Sequence, residues 1–264
     1  MPILPGAESF QADGGDVAVL LVHGFTGSPQ SLRDWGEHHA AAGLTVRLPR
    51  LPGHGTTWQE LNRTRWPDWY ACVERELVDL AVDHTVVVAG MSMGGALALR
   101  LAQEHPDLVA GLVLVNPAVL SEDRRLALLP VLRHLVPSFP AIGNDIRKQG
   151  PTELAYDRTP LHAAWSTTRL LDVVRADLPR VSAPLLVLHS PQDHVVPPSS
   201  TAAVLAGVSS PDLSDVVLAD SYHVATLDHD APTVFEESLG FVRRVAGGAR
   251  ADVPAGAGDG QAGS

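Results

Sequence analysis

The chain has 264 residues, of which 45% are hydrophobic, and 30 acidic against 19 basic side chains give it a formal net charge of −11. A chain of this length can bury one large core, and its negative charge disfavours binding to nucleic acids or anionic membranes. A single cysteine excludes an intrachain disulfide and a cysteine-based metal site. We expect a cytoplasmic protein, because the N-terminus lacks the features of a signal peptide and no apolar run reaches the roughly 18 residues of a membrane span.

Short apolar runs alternate along the chain with stretches of helical pattern. The predicted strands are 17–22, 44–48, 85–89, 112–115, 185–189 and 215–219. The predicted helices are 29–42, 65–81, 93–104, 198–206 and 232–245. Strands separated by helices predict an α/β fold, in which a mostly parallel sheet is covered by helices on both faces.

One long stretch interrupts this alternation. Between Asn116 and Pro184 lie about 65 residues that are rich in proline and show no evident strand. We predict that they form a helical cap inserted at about 117–178, with a helix near 168–178 leading back to the core.

The C-terminal stretch 248–264 has a different composition. It is rich in glycine and alanine and has almost no large apolar side chains. Such a segment cannot bury enough surface to offset the entropy of ordering it. We therefore predict a folded domain over 1–247 and a disordered tail over 248–264.

The stretch Gly90-Met91-Ser92-Met93-Gly94 fits the pattern G-x-S-x-G. It follows the predicted strand 85–89 and precedes the predicted helix 93–104, which is the strand–turn–helix setting of a nucleophile elbow. The glycines suit a strained turn, and a helix N-terminus favours the negative charge that develops on an oxyanion. We predict that Ser92 is a nucleophile.

A serine hydroxyl needs a general base, and in such elbows an acid and then a histidine follow the serine along the chain. Asp193 and His223 come after the last two predicted strands, at the carboxyl ends where open α/β sheets bind ligands. We therefore predict a triad of Ser92, His223 and Asp193. The alternatives left open are His229 as the base and Asp220 or Asp228 as the acid.

The turn His23-Gly24-Phe25 follows the first predicted strand. Its Phe25 amide, together with the amide of Met93 after the nucleophile, is predicted to form an oxyanion hole. We find no HExxH or other metal-binding spacing, and we expect no metal and no cofactor.

Six sequence stretches carry a family resemblance over about residues 19 to 230: LLVHGFTGSPQSLR, LTVRLPRLPGHGT, VVVAGMSMGGALAL, ELAYDRTP, DHVVPP and SYHVATLD. Through them the chain resembles the bacterial monoacylglycerol lipases and closely related carboxylesterases of the α/β-hydrolase superfamily. The resemblance implies the α/β-hydrolase fold, hydrolysis of a small ester or monoacylglycerol, and the same triad and oxyanion hole.

The resemblance also implies a cap that forms an apolar tunnel for an acyl chain and a polar end for glycerol. Glu153 falls where the family has a cap carboxylate that can hydrogen-bond the glycerol hydroxyls, and Ile142 falls where it has a lid residue facing the tunnel. Residues 120–140 depart most from the family, so the acyl-chain preference stays open. The apolar stretch 126–132 suggests at most a transient membrane contact through the cap.

Other functions remain open on the same residues. A general carboxylesterase for short-chain esters, a thioesterase, an amidase or an acyltransferase would use the same triad, and a non-catalytic ligand-binding module could retain it. Dehalogenases and epoxide hydrolases need an aspartate nucleophile, and the serine at position 92 argues against them. The oligomeric state is left open.

Overall fold

The computed structural model describes residues 1–141 and 143–251, with side chains up to Gly247. The strands of these residues are β1 Phe10–Ala12, β2 Val17–Val22, β3 Thr45–Leu48, β4 Thr85–Met91, β5 Val109–Val115, β6 Ser138–Pro140, β7 Arg158–Pro160, β8 Leu185–His189 and β9 Leu213–Val217. The α-helices are α1 Arg33–Ala41, α2 Trp58–Leu61, α3 Trp66–Leu80, α4 Met93–Glu104, α5 Leu129–Leu135, α6 Leu161–Ala176, α7 Pro198–Gly207 and α8 Ala231–Ala251. The 3₁₀ helices in this described part of the chain are Pro29–Leu32, Arg124–Leu128, Leu178–Arg180 and Ala225–Leu227.

Seven of these strands form one sheet in the order β1-β3-β2-β4-β5-β8-β9. All neighbours are parallel except β1, which pairs with β3 in antiparallel orientation at the edge. The predicted mostly parallel sheet is therefore confirmed. The edge strand β1 is an addition, because three residues are too few to show a strand pattern in the sequence.

Both faces of the central strands β2, β4, β5 and β8 are buried, which explains why these strands are mostly continuous apolar runs. Along β2, Leu20 points to the core shared with α3, α4, α6 and α7, whereas Leu21 points to the core shared with α1 and α8. Each core contains one fully buried tryptophan, Trp69 of α3 on the first face and Trp35 of α1 on the second.

The stretch between β5 and β8 contains the helices α5 and α6, of which α6 overlaps the predicted helix near 168–178, but the expectation that the stretch has no strand is wrong. Strands β6 and β7 form a separate antiparallel pair in which Phe139 lies opposite Thr159. Each has three residues and ends in proline, so neither shows an alternating pattern, and their pairing joins distant parts of the chain. Helix α6 also begins earlier than expected, directly after Pro160.

The last helix, α8, ends at Ala251 and therefore includes the first residues of the stretch predicted to be a disordered tail. Residues 252–264 of that stretch lie outside the described part of the chain, as does Ile142. Among the described residues, no helix combines the length and apolar character needed to cross a membrane.

Candidate active site

Ser92 occupies the tight turn between β4 and α4. Its backbone has φ 57° and ψ −121°, a region that costs a non-glycine residue about 1–3 kcal/mol. Neighbouring backbone holds this conformation, because the Ser92 amide donates to the carbonyl of Val115 at 3.0 Å and its carbonyl accepts from the Ala118 amide at 3.1 Å. The residue is 8% exposed, and it lines a cavity of about 700 Å³.

Two glycines of the turn are required by close backbone packing. A Cβ on Gly90 would lie 2.3 Å from the carbonyl oxygen of Gly94, and a Cβ on Gly94 would lie 2.0 Å from the carbonyl oxygen of Val22. Both distances are far below van der Waals contact, so only glycine fits at either position. The G-x-S-x-G pattern thus records how tightly β2, β4 and α4 meet beneath Ser92.

His223 and Asp193 are paired at the same end of the sheet. His223 Nδ1 lies 2.7 Å from Asp193 Oδ2, and the two side chains are 9% and 3% exposed. The other carboxylate oxygen, Asp193 Oδ1, accepts the amides of Val195 at 2.7 Å and Val196 at 2.8 Å. With Nδ1–H donating to Asp193, Nε2 of the neutral ring is the nitrogen that can accept a proton. His223 and Ser92 line the same cavity.

The electrostatic surroundings of His223 favour its protonated form. Burial by itself lowers the pKa of the imidazole, but the hydrogen bond with Asp193 and the negative charges of Asp193, Glu153 and Asp145 outweigh burial and raise the pKa above its ordinary value. The ring is therefore a stronger base than an isolated histidine.

The turn after β2 is held by a buried neutral histidine. His23 Nε2 accepts the amide of Leu51 at 3.2 Å, and its Nδ1 lies 2.9 Å from the carbonyl oxygen of Gly24. Burial lowers the pKa of His23 to about 4, so the ring is neutral near pH 7. Because Gly24 C=O and Phe25 N–H belong to one trans peptide and point in opposite directions, binding the carbonyl directs the Phe25 amide away from His23.

The second predicted oxyanion donor is the amide of Met93. Met93 is the first residue of α4, where N–H groups have no acceptor within the helix. In residues 1–141 and 143–251, neither this amide nor that of Phe25 donates to a protein acceptor. Phe25 and Gly24 line the cavity beside Ser92, so free amides lie near the predicted nucleophile.

The cap supplies two kinds of wall to the cavity. Apolar side chains come from around α5, from β6 and from α6: Leu126, Leu129, Leu132, Phe139, Leu161 and Ala164. Polar side chains come from two parts of the cap: Ser121, Asp123 and Arg125 lie before α5, and Asn144, Asp145 and Glu153 lie between β6 and β7.

The structure places Glu153 in the same cavity as Ser92 and His223. Its amide donates to Asn144 Oδ1 at 2.8 Å, and its carboxylate lies over the turn after β2, where a Cβ on Gly27 would come within 2.8 Å of Oε1. Burial raises the pKa of Glu153, and the charge of His223 opposes this only in part.

The alternative triad members are not brought to the site. Asp228 is buried and accepts four amides, those of Arg147, Lys148, Tyr222 and His229 at 2.7–2.9 Å. Asp220 pairs with Arg147 at the surface at 3.2 Å, and the His229 side chain is exposed. Among the described residues, no group of three or more histidine, cysteine, aspartate or glutamate side chains is placed to hold a metal ion.

Two residues that the sequence reasoning missed also contact the His223 loop. Asn116, after β5, donates to the carbonyl of His223 at 2.8 Å and accepts the amide of Ser190 at 2.8 Å. Asp145, in the cap, accepts the amide of His223 at 3.1 Å. The positive φ of Asn116 (44°) leaves no mark in the sequence, and Asp145 lies in a segment without periodicity.

A model of the family Hydrolase_4, described as serine aminopeptidase, S33, matches residues 15–230. A thermostable monoacylglycerol lipase from Bacillus sp. (strain H-257) is 44% identical over 252 residues, which cover 93% of this chain and 98% of that protein. A carboxylesterase from Bacillus subtilis (strain 168) is 26% identical over 239 residues, covering 89% of this chain and 96% of that protein.

Solved structures show the same fold. One from a study of the metagenome-derived lipolytic enzymes LipS and LipT superimposes with a TM-score of 0.90 at 40% identity, covering 92% of this chain and all of that chain (100%). The Paleococcus ferrophilus monoacylglycerol lipase superimposes with a TM-score of 0.75 at 20% identity, covering 90% and 99%. The α/β-hydrolase fold expected from the sequence is confirmed.

Proposed function

We propose that this chain, which belongs to the Hydrolase_4 family of serine hydrolases, hydrolyses carboxylic esters and prefers monoacylglycerols. The observation that carries the proposal is one cavity that is lined by Ser92, by His223 hydrogen-bonded to Asp193, by an apolar cap wall and by the half-buried Glu153. Identity of 44% to a monoacylglycerol lipase over 93% of the chain favours the same substrate class.

In the proposed mechanism, His223 Nε2 takes the hydroxyl proton of Ser92 as Oγ attacks the ester carbonyl. Asp193 holds the ring with Nδ1–H toward itself and stabilises the imidazolium that forms. The amides of Phe25 and Met93 stabilise the oxyanion of the tetrahedral intermediate. The alcohol leaves with the proton from His223, and water hydrolyses the acyl-enzyme by the same steps.

The lining of the cavity suits a substrate with one apolar chain and a small polar head. Its volume of about 700 Å³ lies within the roughly 300–1,000 Å³ of small-molecule sites. The acyl chain would lie along the leucines of the cap wall, and the glycerol hydroxyls would hydrogen-bond Glu153. The assignment of Ile142 as a lid residue stays a prediction, since it lies outside the described residues.

The first test compares hydrolysis of a series of monoacylglycerols with that of diacylglycerols, triacylglycerols, short p-nitrophenyl esters and aminoacyl p-nitroanilides, in wild type and Ser92→Ala. We expect monoacylglycerols to be the best substrates, Ser92→Ala to be inactive, and a fluorophosphonate to label wild type alone. Turnover of only short activated esters would instead indicate a general carboxylesterase. Preference for the anilides would indicate an aminopeptidase, and absence of labelling and turnover would indicate a binding module.

The second test addresses the glycerol end. Glu153→Gln should raise KM for a monoacylglycerol while leaving KM for the p-nitrophenyl ester of the same acyl chain near the wild-type value, because only the first substrate has hydroxyls to bind. Glu122→Gln, which changes an exposed cap carboxylate outside the cavity, is the matched control. Equal effects of Glu153→Gln on both esters would contradict this assignment.

The predicted transient membrane contact has a defined candidate surface on the cap. Leu128, Val131 and Leu135 are 58%, 64% and 73% exposed, and their spacing places Val131 and Leu135 along one side of α5, with Leu128 directly before it. With a net charge of −11, we expect binding to zwitterionic rather than anionic vesicles. Cosedimentation of wild type and of Val131→Ser with zwitterionic and with anionic vesicles tests whether this surface binds a membrane. The cytoplasmic location stays a prediction.

A further inference from the structure

One carboxylate of the cap contacts both loops that carry the Asp193–His223 pair. Asp145 Oδ2 accepts the amide of His223 at 3.1 Å and the amide of His194, the residue after Asp193, at 3.2 Å. Asp145 Oδ1 lies 2.8 Å from Nδ1 of His194, and the Asp145 carbonyl accepts the amide of Val224 at 3.1 Å. The side chain is 12% exposed.

A second carboxylate also links the cap to the loop of His223, but this one lies on the His223 side and accepts amides from the cap. Asp228, which follows His223 along the chain, accepts the amides of Arg147 at 2.7 Å and Lys148 at 2.8 Å from the cap segment. Asp228 also accepts the amide of Tyr222 at 2.9 Å. The amides of three successive residues, 222 to 224, are therefore bound by these two aspartates.

This arrangement ties the geometry of the pair to the cap. A shift of Asp145 would move the backbone at His223 and at His194 together, and with them the imidazole and the carboxylate that must stay 2.7 Å apart. We propose that Asp145 is a positioning residue, which holds the loops of Asp193 and His223 in register and adds a negative charge facing His223. The inference rests on the proposed function, because it assigns His223 as the general base.

The charge of Asp145 has a separate, measurable consequence. The titratable groups that face His223 are Asp193 from the loop after β8, and Glu153 and Asp145 from the cap, with His194 beyond Asp145. Negative charge at Asp145 raises the pKa of His223. Removing it lowers that pKa, so a larger fraction of the base is neutral in acid and the acidic limb of kcat/KM moves to lower pH.

Two substitutions separate the charge from the hydrogen bonds. In Asp145→Asn, the amide oxygen can still accept both backbone amides, and the NH₂ group can donate to a neutral His194, so the bonds persist while the charge is lost. Asp145→Ala removes both. Asp220→Asn is the matched control, because Asp220 lies in the same loop region as His223 but is 70% exposed, and within residues 1–141 and 143–251 its carboxylate pairs with Arg147 alone.

The experiment measures kcat, KM and the pH profile of kcat/KM on a p-nitrophenyl ester for wild type and the three variants, with melting curves as a check of folding. We expect Asp145→Ala to lower kcat about ten- to a hundredfold with little change in KM, since misplacement of reacting groups by about 1 Å costs on the order of 10²-fold. Asp145→Asn should keep most of kcat but move the acidic limb to lower pH. Asp220→Asn should change neither kcat nor the position of the acidic limb.

The inference is overturned if the acidic limb of Asp145→Asn coincides with that of Asp220→Asn, or if a folded Asp145→Ala has the kcat of wild type. Should Asp145→Ala fail to fold, the pH profile of Asp145→Asn decides alone. Ser92→Ala, assayed alongside, separates this failure from that of the proposed function. An active Ser92→Ala overturns both, whereas an inactive Ser92→Ala beside Asp145 variants that match wild type overturns only the positioning role.

Discussion

Gly94 provides a sharp test of how packing beneath the turn supports Ser92. In Gly94→Ala, the new Cβ would lie 2.0 Å from the carbonyl oxygen of Val22, 2.6 Å from its carbonyl carbon and 2.8 Å from the carbonyl oxygen of His23. All three are backbone atoms and cannot rotate away. To reach even 3.0 Å, the shortest separation that Cβ atoms normally show, α4 and the end of β2 must move apart by about 1 Å.

That displacement separates the two predicted oxyanion donors, since Phe25 follows β2 and Met93 begins α4. Misplacement of about 1 Å costs on the order of 10²-fold in rate, so we expect kcat/KM of Gly94→Ala for a p-nitrophenyl ester to fall by about that factor. Strain of this kind also destabilises a packed core by roughly 1–3 kcal/mol, which lowers Tm.

Gly240→Ala is the matched control. Gly240 lies in α8 with nothing within 4 Å of the added Cβ. The same chemical change should therefore leave kcat/KM unaltered and stabilise the protein by about 0.5–1 kcal/mol through helix propensity. If Gly94→Ala keeps wild-type kcat/KM and gains stability as Gly240→Ala does, the packing argument for the turn is refuted.

Three further outcomes are expected. Asp228→Ala should lower the free energy of unfolding by roughly 3–5 kcal/mol in urea titrations, because four amides lose a buried charged acceptor; an unchanged midpoint contradicts this. Burial lowers the pKa of His39 from 6.5 to about 3. As the pH falls, His39 therefore takes up a proton at a higher pH in the unfolded chain than in the folded protein. The stability due to this histidine is complete above about pH 6.5 and declines toward pH 3, and His39→Gln should flatten the fall of Tm in that window. Leu132→Trp, which enlarges a cap residue lining the cavity, should raise KM for long-chain but not short-chain monoacylglycerols; equal changes for both lengths count against an acyl tunnel at this wall.

Much of the fold and the turn at Ser92 could be predicted because the signals are local. The strands 17–22 and 185–189 and the helix 93–104 coincide with the observed β2, β8 and α4, since buried parallel strands are continuous apolar runs and glycine or proline mark their ends. The glycines around Ser92 reflect contacts within one strand–turn–helix unit. The order in which serine, aspartate and histidine follow one another along the chain then predicted Asp193 and His223 as the partners of Ser92.

The choice among neighbouring candidates needed distances. Asp193 and His223 were predicted from their places after two strands, but Asp220, Asp228 and His229 stayed open as alternatives, and only the distances between the loops after β8 and β9 favour the predicted pair. Each loop carries several polar residues with similar local patterns, and the 2.7 Å between His223 and Asp193 has no counterpart in their spacing along the chain.

The sequence by itself therefore determined the sheet, its two apolar faces and the turn that carries Ser92, because each depends on residues that are near neighbours in the chain. The sequence also predicted a cap insertion, but the tertiary structure alone decided the strands within it and its connection to the site. Strands β6 and β7 are too short for periodicity, and Asp145 reaches the amide of a residue 78 positions away. A hydrogen bond to a backbone amide requires only a position in space and nothing of the partner's side chain, so it leaves no pattern in the sequence.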